Sequence, residues 1–154
     1  MKRTIAIIMG GYSSEVEISL MSGNVVYQQL SKERYTAYKV HILKEKWVAV
    51  IDGTEYPINK HDFSFQYQGK HVTFDCVFNA IHGTPGEDGK VQAYFDMLNI
   101  PYTSCGQDTS ALTFNKHLCN KFISSYGIRV ADSITLFKEE QVYKDEIIQT
   151  QKHQ

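Results

Sequence analysis

Near the start of the chain five consecutive apolar residues, Ile5 to Met9, run into Gly10-Gly11 and then into a helical pattern. No other feature restricts the fold as much. A short, continuous, isoleucine-rich run is the pattern of a strand covered on both faces, as in a parallel sheet. Preceded by Lys2-Arg3 it resembles the opening of a signal peptide, but the run stops at the glycines and a charged amphipathic stretch follows. Ser14, with Glu17 three residues on, predicts a capping box. Ile18, Met21, Val25 and Leu30 then recur near helical spacing, which predicts a helix over about 14–30. Tyr35 to Ile42 reads as a second strand. The first forty residues therefore form a strand, helix, strand unit, whose strands should be parallel and whose crossover should be right-handed.

The middle of the chain has another texture. Trp47–Ile51, Glu55–Ile58, Phe63–Tyr67 and Val72–Phe74 are short strand-like runs separated by glycine turns, the pattern of a hairpin insertion. Phe63, Phe65 and Tyr67 are expected on its buried side, since no basic residues interleave with them to make a stacking platform. Cys76 to Ile81 returns to an apolar run. After the loop His82–Gly89, Val91, Tyr94, Phe95 and Leu98 fall on one helical face, and Pro101–Thr103 is expected to be a last short strand. A long helical pattern from Thr109 to Tyr126 closes at Gly127, and Ile128 to Phe137 resumes an extended pattern. Residues 139–154 are mostly polar and lack apolar periodicity, so this end is expected to leave a second domain incomplete.

With 154 residues, the chain can hold one ordinary domain and part of another. Lys+Arg 16 against Asp+Glu 17 gives a net charge of -1 and no electrostatic reason to expect nucleic acid or an anionic membrane as partner. Cys76, Cys105 and Cys119 show no Cys-x-x-Cys pair, which fits reduced cytoplasmic thiols rather than a disulfide framework or zinc cluster. His41, His61, His71, His117 and His153 have no metal-ligand spacing, and surface positions are expected for them.

Ligands of an open parallel sheet bind beyond the carboxyl ends of its strands, and two loops belong at that edge. Gly10 to Glu17 lacks both the Gly-x-Gly-x-x-Gly and the Gly-Lys-Ser/Thr phosphate signatures, and it places Glu15 at the mouth, where a carboxylate suits a ligand ammonium. Alternatively, Ser14 and Glu17 cap the helix and Glu15 eases its dipole. His82–Gly89 combines three glycines and a proline with His82, Glu87 and Asp88. His82 could meet a carboxylate and Glu87 could anchor the loop; alternatively, the acidic pair caps the next helix.

Taken together and in order, Gly10-Gly11-Tyr12-Ser13-Ser14-Glu15-Val16-Glu17-Ile18-Ser19-Leu20, His82-Gly83-Thr84-Pro85-Gly86-Glu87-Asp88-Gly89, Ile100-Pro101-Tyr102-Thr103 and Ser110-Ala111-Leu112 with Asn115-Lys116 resemble the D-alanyl-D-alanine ligases of bacterial cell-wall synthesis. The resemblance runs from Ile5 to about Leu136. It implies an α/β fold: a Rossmann-like pre-ATP-grasp domain with a parallel sheet and a β-hairpin insertion over 1–104, then an incomplete α+β ATP-grasp central domain over 105–154. It further implies a ligase that uses ATP to phosphorylate one D-alanine, the amine of a second D-alanine then attacking the acylphosphate. By resemblance Glu15 and Glu87 are the catalytic candidates: Glu15 takes the first D-alanine's ammonium and Glu87 braces the active groups, while His82 lies near the substrate's carboxylate, Ser19 joins Glu15 and His82 in substrate binding, and Lys116 approaches the nucleotide phosphates. Asn115 stands where an aspartate is usual. The residues that would hold Mg2+ or Mn2+, and most of the nucleotide pocket, belong to later segments, so the chain alone is expected to be inactive and to hold no cofactor tightly. A cytoplasmic homodimer joined through the amino-terminal domain is also implied. The competing class is a non-catalytic, flavodoxin-like binding or interaction module.

Overall fold

The structure, a computed structural model, describes residues 2–133. By compactness the chain divides into two units, Met1–Asn115 and Lys116–Gln154. In the first, β1 (Arg3–Gly10), α1 (Val16–Gln29) and β2 (Tyr35–Ile42) form the expected unit, with β1 and β2 parallel in the register Ile5↔Ala37 to Gly10↔Ile42. β3 (Trp47–Ile51) and β4 (Thr54–Pro57) follow, then β5 (Phe65–Tyr67) and β6 (Lys70–Val72), then β7 (Cys76–Asn79), α2 (Lys90–Met97), β8 (Tyr102–Thr103) and α3 (Gln107–Phe114). The main sheet has the order β4-β3-β2-β1-β7-β8. β7 and β8 continue the parallel part, whereas β3 and β4 add antiparallel strands at the β2 edge. The insertion is thus in two pieces: β3 and β4 widen the main sheet, and only β5 and β6 form a separate hairpin.

Because successive side chains of a strand point to opposite faces, β1 serves two cores at once. Ile5, Ile7 and Met9 pack with Leu20, Val26, Tyr27 and Leu30 on the α1 side. Ala6 and Ile8 belong to the larger cluster with Val40, Ile42, Phe63, Phe65, Phe74, Val91 and Phe95. Phe63 is fully buried, and its ring lies 4.8 Å from Phe95, 5.3 Å from Phe74 and 6.0 Å from Tyr94. The expectation that the aromatic stretch faces inward holds. Tyr94 donates its hydroxyl to Lys60 O at 2.7 Å; burial, with the Asp62 charge adding to it, pushes the phenol up to about 12.

One helix forms as expected but turns its marked stripe to solvent, and another is interrupted. The stripe that marks α1 in the sequence points outward: Ile18, Met21 and Val25 are 56%, 69% and 58% exposed, while the buried positions are Ser19 and Gly23. Gly23 lies so close to β1 that a Cβ there would stand 2.6 Å from Met9 Cε and 2.9 Å from Met9 Cβ. Small residues bring this helix close to the sheet, and a hydrophobic pattern does not weigh them. The long helix expected over 109–126 is broken at Asn115, whose backbone is extended (φ -89, ψ 96), so α3 ends at Phe114 and α4 (Lys116–Ser124) begins anew. Just before the break Thr113 Oγ1 donates back to Thr109 O at 2.8 Å, a local bond that competes with a regular helix.

Residues 105–115, allotted above to a second domain, pack within the first unit. Ser110 is buried, and a Cβ on Gly89 would meet Gln107 O at 2.7 Å and Ala111 Cβ at 3.2 Å. Residues 128–133 form no strand. The remainder of the extended stretch expected over 128–137, and the polar tail 139–154, lie outside the described residues. His41 and His117 are half-buried, against the expectation of surface positions; His41 sits within β2 opposite Val48. His153 lies outside the described residues.

Candidate functional site

The β1–α1 loop and the β7–α2 loop meet at the carboxyl edge of the parallel strands, and backbone bonds pin the first in place. Gly11 N donates to Ile42 O and Tyr12 N to Thr84 O, both at 2.8 Å. Tyr12 Oη accepts a bond from Trp47 Nε1 at 2.8 Å, which ties the loop to β3. The loops approach more closely than a side chain would permit. Gly11 adopts φ +103 with Ile81 Cγ2 2.8 Å from where its Cβ would stand, and Gly83, at φ +72, faces Ser13 Cβ and Oγ at 2.9 Å.

The predicted capping box does not form. Glu15 itself is the residue preceding α1, and neither Ser14 nor Glu17 caps it; Ser14 is exposed. Ser13 does the local work: its Oγ accepts from Glu15 N at 3.2 Å and donates to His82 O at 3.0 Å, a serine turn that also bridges the two loops. Glu15 is exposed at the mouth, with Oε2 3.5 Å from where a Cβ on Gly83 would stand. Glu15 and the His82 loop are therefore neighbours at one edge of the sheet.

His82 is half-exposed. Its Nδ1 lies 4.0 Å from Glu87 Oε1, and its Nε2 lies 3.3 Å from Ser22 Oγ. Glu87 is turned back into its own loop, Oε2 accepting from Gly83 N at 2.9 Å. Asp88 behaves differently. Partial burial pushes its carboxyl up, but hydrogen bonds from the Lys90 and Thr84 side chains and from the Lys90 backbone outweigh this and hold it below the usual range. Asp88 thus fastens the start of α2 through Lys90, while Glu87 is left to organise the loop around His82. The acidic pair does not share one capping role; the residue at the helix start is Gly89, which makes no side-chain cap.

Ser19 is fully buried. Its Oγ donates to Ala80 O at 2.7 Å and accepts from Gly10 N at 2.8 Å, so the hydroxyl clamps the ends of β1 and β7 together. Lys116 opens α4 in the second unit and is exposed.

Beside the His82 loop a cavity of about 460 Å³ is walled by His82, Glu87, Gln92, Ser104, Ser110 and Phe114 among others, but not by Glu15. Gln92 is 1% exposed, and its Nε2 donates to Gly86 O at 2.6 Å and to Ser104 Oγ at 3.2 Å. Asn79 reaches the same carbonyl at 2.8 Å and accepts from Ile81 N at 3.1 Å, so two amide side chains shape this loop. Sequence analysis passed over Ser13, Ser22, Asn79 and Gln92. A signal existed for Ser22: Ser19 and Ser22 fall at helical spacing within α1, and Glu15, just before the helix, continues the same spacing.

Comparison with known proteins bears on the whole of this unit. Residues 4–105 match the family model described as D-ala D-ala ligase N-terminus. D-alanine–D-alanine ligase of Flavobacterium johnsoniae is 54% identical over 147 residues, which cover 95% of this chain and 46% of that protein. The ligase of Christiangramia forsetii is 50% identical over 149 residues, covering 96% and 46%. Among solved structures, D-alanyl-alanine synthetase A of Vibrio cholerae superposes with a TM-score of 0.85 at 31% identity, covering 99% of this chain and 46% of that one. D-alanine–D-alanine ligase of Bacillus anthracis, in a structure complexed with ATP, gives 0.68 at 29% identity, covering 96% and 44%. The chain therefore spans about half the length of the curated relatives it matches, and by its sequence and by the fold around its two loops it belongs to the D-alanine–D-alanine ligase family, whose N-terminal domain it carries.

Proposed function

We propose that this chain supplies the first D-alanine site of an ATP-dependent ligase that joins two D-alanines for peptidoglycan synthesis in the cytoplasm. The observation that carries the reading is the junction of the two loops through Ser13, which holds Glu15 and His82 at one edge of the sheet. An amino acid presents an ammonium and a carboxylate a few ångströms apart. An exposed carboxylate and a half-exposed imidazole on two joined loops match both groups, each through a hydrogen bond of opposite polarity. Glu15 takes the ammonium and His82 the carboxylate. Ser19 supports the site from beneath as a clamp, and Glu87 steadies the His82 loop.

ATP enters the proposal through the family and through the Bacillus anthracis relative bound to it. When bound, ATP activates the D-alanine carboxylate as an acylphosphate, and Lys116, a compact point charge, would meet its phosphates. Among the described residues no group of three His, Cys, Asp or Glu side chains could hold a metal ion. The domain border proposed from the family stays at 104/105, with α3 as the connection that packs back on the first domain. No helix among the described residues is long and apolar enough to cross a membrane. We also propose that two copies associate through α1, where Ile18, Met21 and Val25 leave an apolar stripe in water.

The test is a chimaera in which this chain replaces the matching half of the Flavobacterium johnsoniae ligase. D-alanine-dependent ADP release with formation of the dipeptide is the expected result, with none from the 154 residues alone. A folded chimaera that binds ATP but does not respond to D-alanine would instead favour a non-catalytic module.

A further inference from the structure

Ser22 lies on the helix that carries Ser19, one turn beyond it, and faces the His82 ring. Its Oγ is 2.9 Å from Ile18 O, a carbonyl that can only accept, so the single hydroxyl hydrogen is directed there. The same oxygen lies 3.3 Å from His82 Nε2. With its hydrogen directed to Ile18, Ser22 presents a lone pair to the ring, an arrangement that suits a proton on Nε2.

The other ring nitrogen turns the opposite way. His82 Nδ1 faces Glu87 Oε1 at 4.0 Å, on the side where both residues line the cavity. Glu87 cannot easily swing aside, because its Oε2 accepts from Gly83 N at 2.9 Å. His82 O is itself held by Ser13 Oγ at 3.0 Å, so backbone and ring are fixed by different serines.

We infer that Ser22 is a positioning residue for His82: by accepting the Nε2 proton it fixes the tautomer and holds the ring with Nδ1 turned toward Glu87. The inference rests on reading His82 as a substrate-facing residue, but it concerns the ring before any ligand arrives. In this role Ser22 acts through His82.

The experiment is histidine ¹⁵N spectroscopy on the 154-residue protein without ligand, with His82→Gln to assign the signal. Spectra are taken about two pH units above the ordinary histidine value of ~6.5. The wild-type Nε2 should give a pyrrole-type, proton-bearing resonance. Ser22→Ala should move it toward the averaged value of a free imidazole, and Ser22→Thr, which keeps the hydroxyl, should restore it. Unchanged amide spectra away from the loop would show that the variants fold. A proton on Nδ1 alone in the wild type, or an identical tautomer in Ser22→Ala, would overturn the assignment. D-alanine added afterwards tests the substrate reading separately, because the proton position is recorded before it is present.

Discussion

α1 and α2 cover opposite faces of one sheet with opposite chemistry. α2 presents Val91 and Phe95, both nearly inaccessible, to a core crowded with Phe63, Phe65 and Phe74. α1 makes its closest approach through Ser19 and Gly23, flanked by the partly buried Leu20, Val26 and Tyr27, and leaves Ile18, Met21 and Val25 in water. The α2 side is held by volume, whereas the α1 side adds close approach and a buried hydroxyl to a thinner apolar layer. This difference bears on function: a helix brought near the strand ends by small residues can set Glu15, Ser19 and Ser22 against the His82 loop, which a thick layer of large side chains would keep at a distance.

The largest effect should come from the thick side. Phe95→Ala removes a ring packed against Phe63 and should cost about 3–5 kcal/mol of unfolding free energy, measurable by urea titration. On the thin side the dangerous change is an addition. Gly23→Val forces side-chain atoms into the space of Met9 and should cost roughly 1–3 kcal/mol, although valine replaces a residue that is unfavourable in helices. A Gly23→Val protein as stable as the parent would show that the close approach is not what holds α1.

The outward stripe makes a third test. Ile18→Glu with Met21→Glu should change unfolding free energy by no more than about 0.5 kcal/mol, because both positions are exposed. The same pair should abolish any concentration-dependent rise in mass seen by sedimentation; a large stability loss without a change in mass would mean that the stripe is internal packing.

The smallest effect concerns His41. Its imidazole is held below 6.5, by burial first and by the Lys39 charge second. The unfolded chain therefore takes up a proton before the folded one does. Stability from this group is fully present above the unfolded value and declines as pH falls through ~6.5 toward the lower folded value. Melting temperatures followed from about pH 7.5 to 5 should fall less in His41→Gln than in the parent, and parallel curves would remove the effect.

The sheet was legible because β1 buries both of its faces and so writes a continuous apolar run, and α2 was legible because its inward face is made of large residues. α1 misled for the complementary reason: a buried glycine and serine carry no hydrophobic signal, so the stripe that stands out is the one left in water. The break at Asn115 escaped because the residues on either side both suit a helix. At the site, Glu15, His82 and Glu87 stood out as charged or titratable residues among glycines. Ser13 and Ser22 did not, since a serine declares its role only through the partner that folding brings to it.

The central claim is that Glu15 and His82 form one site for the two ends of D-alanine, and Glu15→Gln in the chimaera tests it most directly. The change keeps the shape and removes the charge, so the lost charge-assisted bond should cost about 1.5–3 kcal/mol. That corresponds to a first-site D-alanine constant weaker by about ten- to a hundredfold, with the ATP constant and the melting temperature nearly unchanged. An unaltered D-alanine constant would contradict the account and reduce Glu15 to the residue that starts α1.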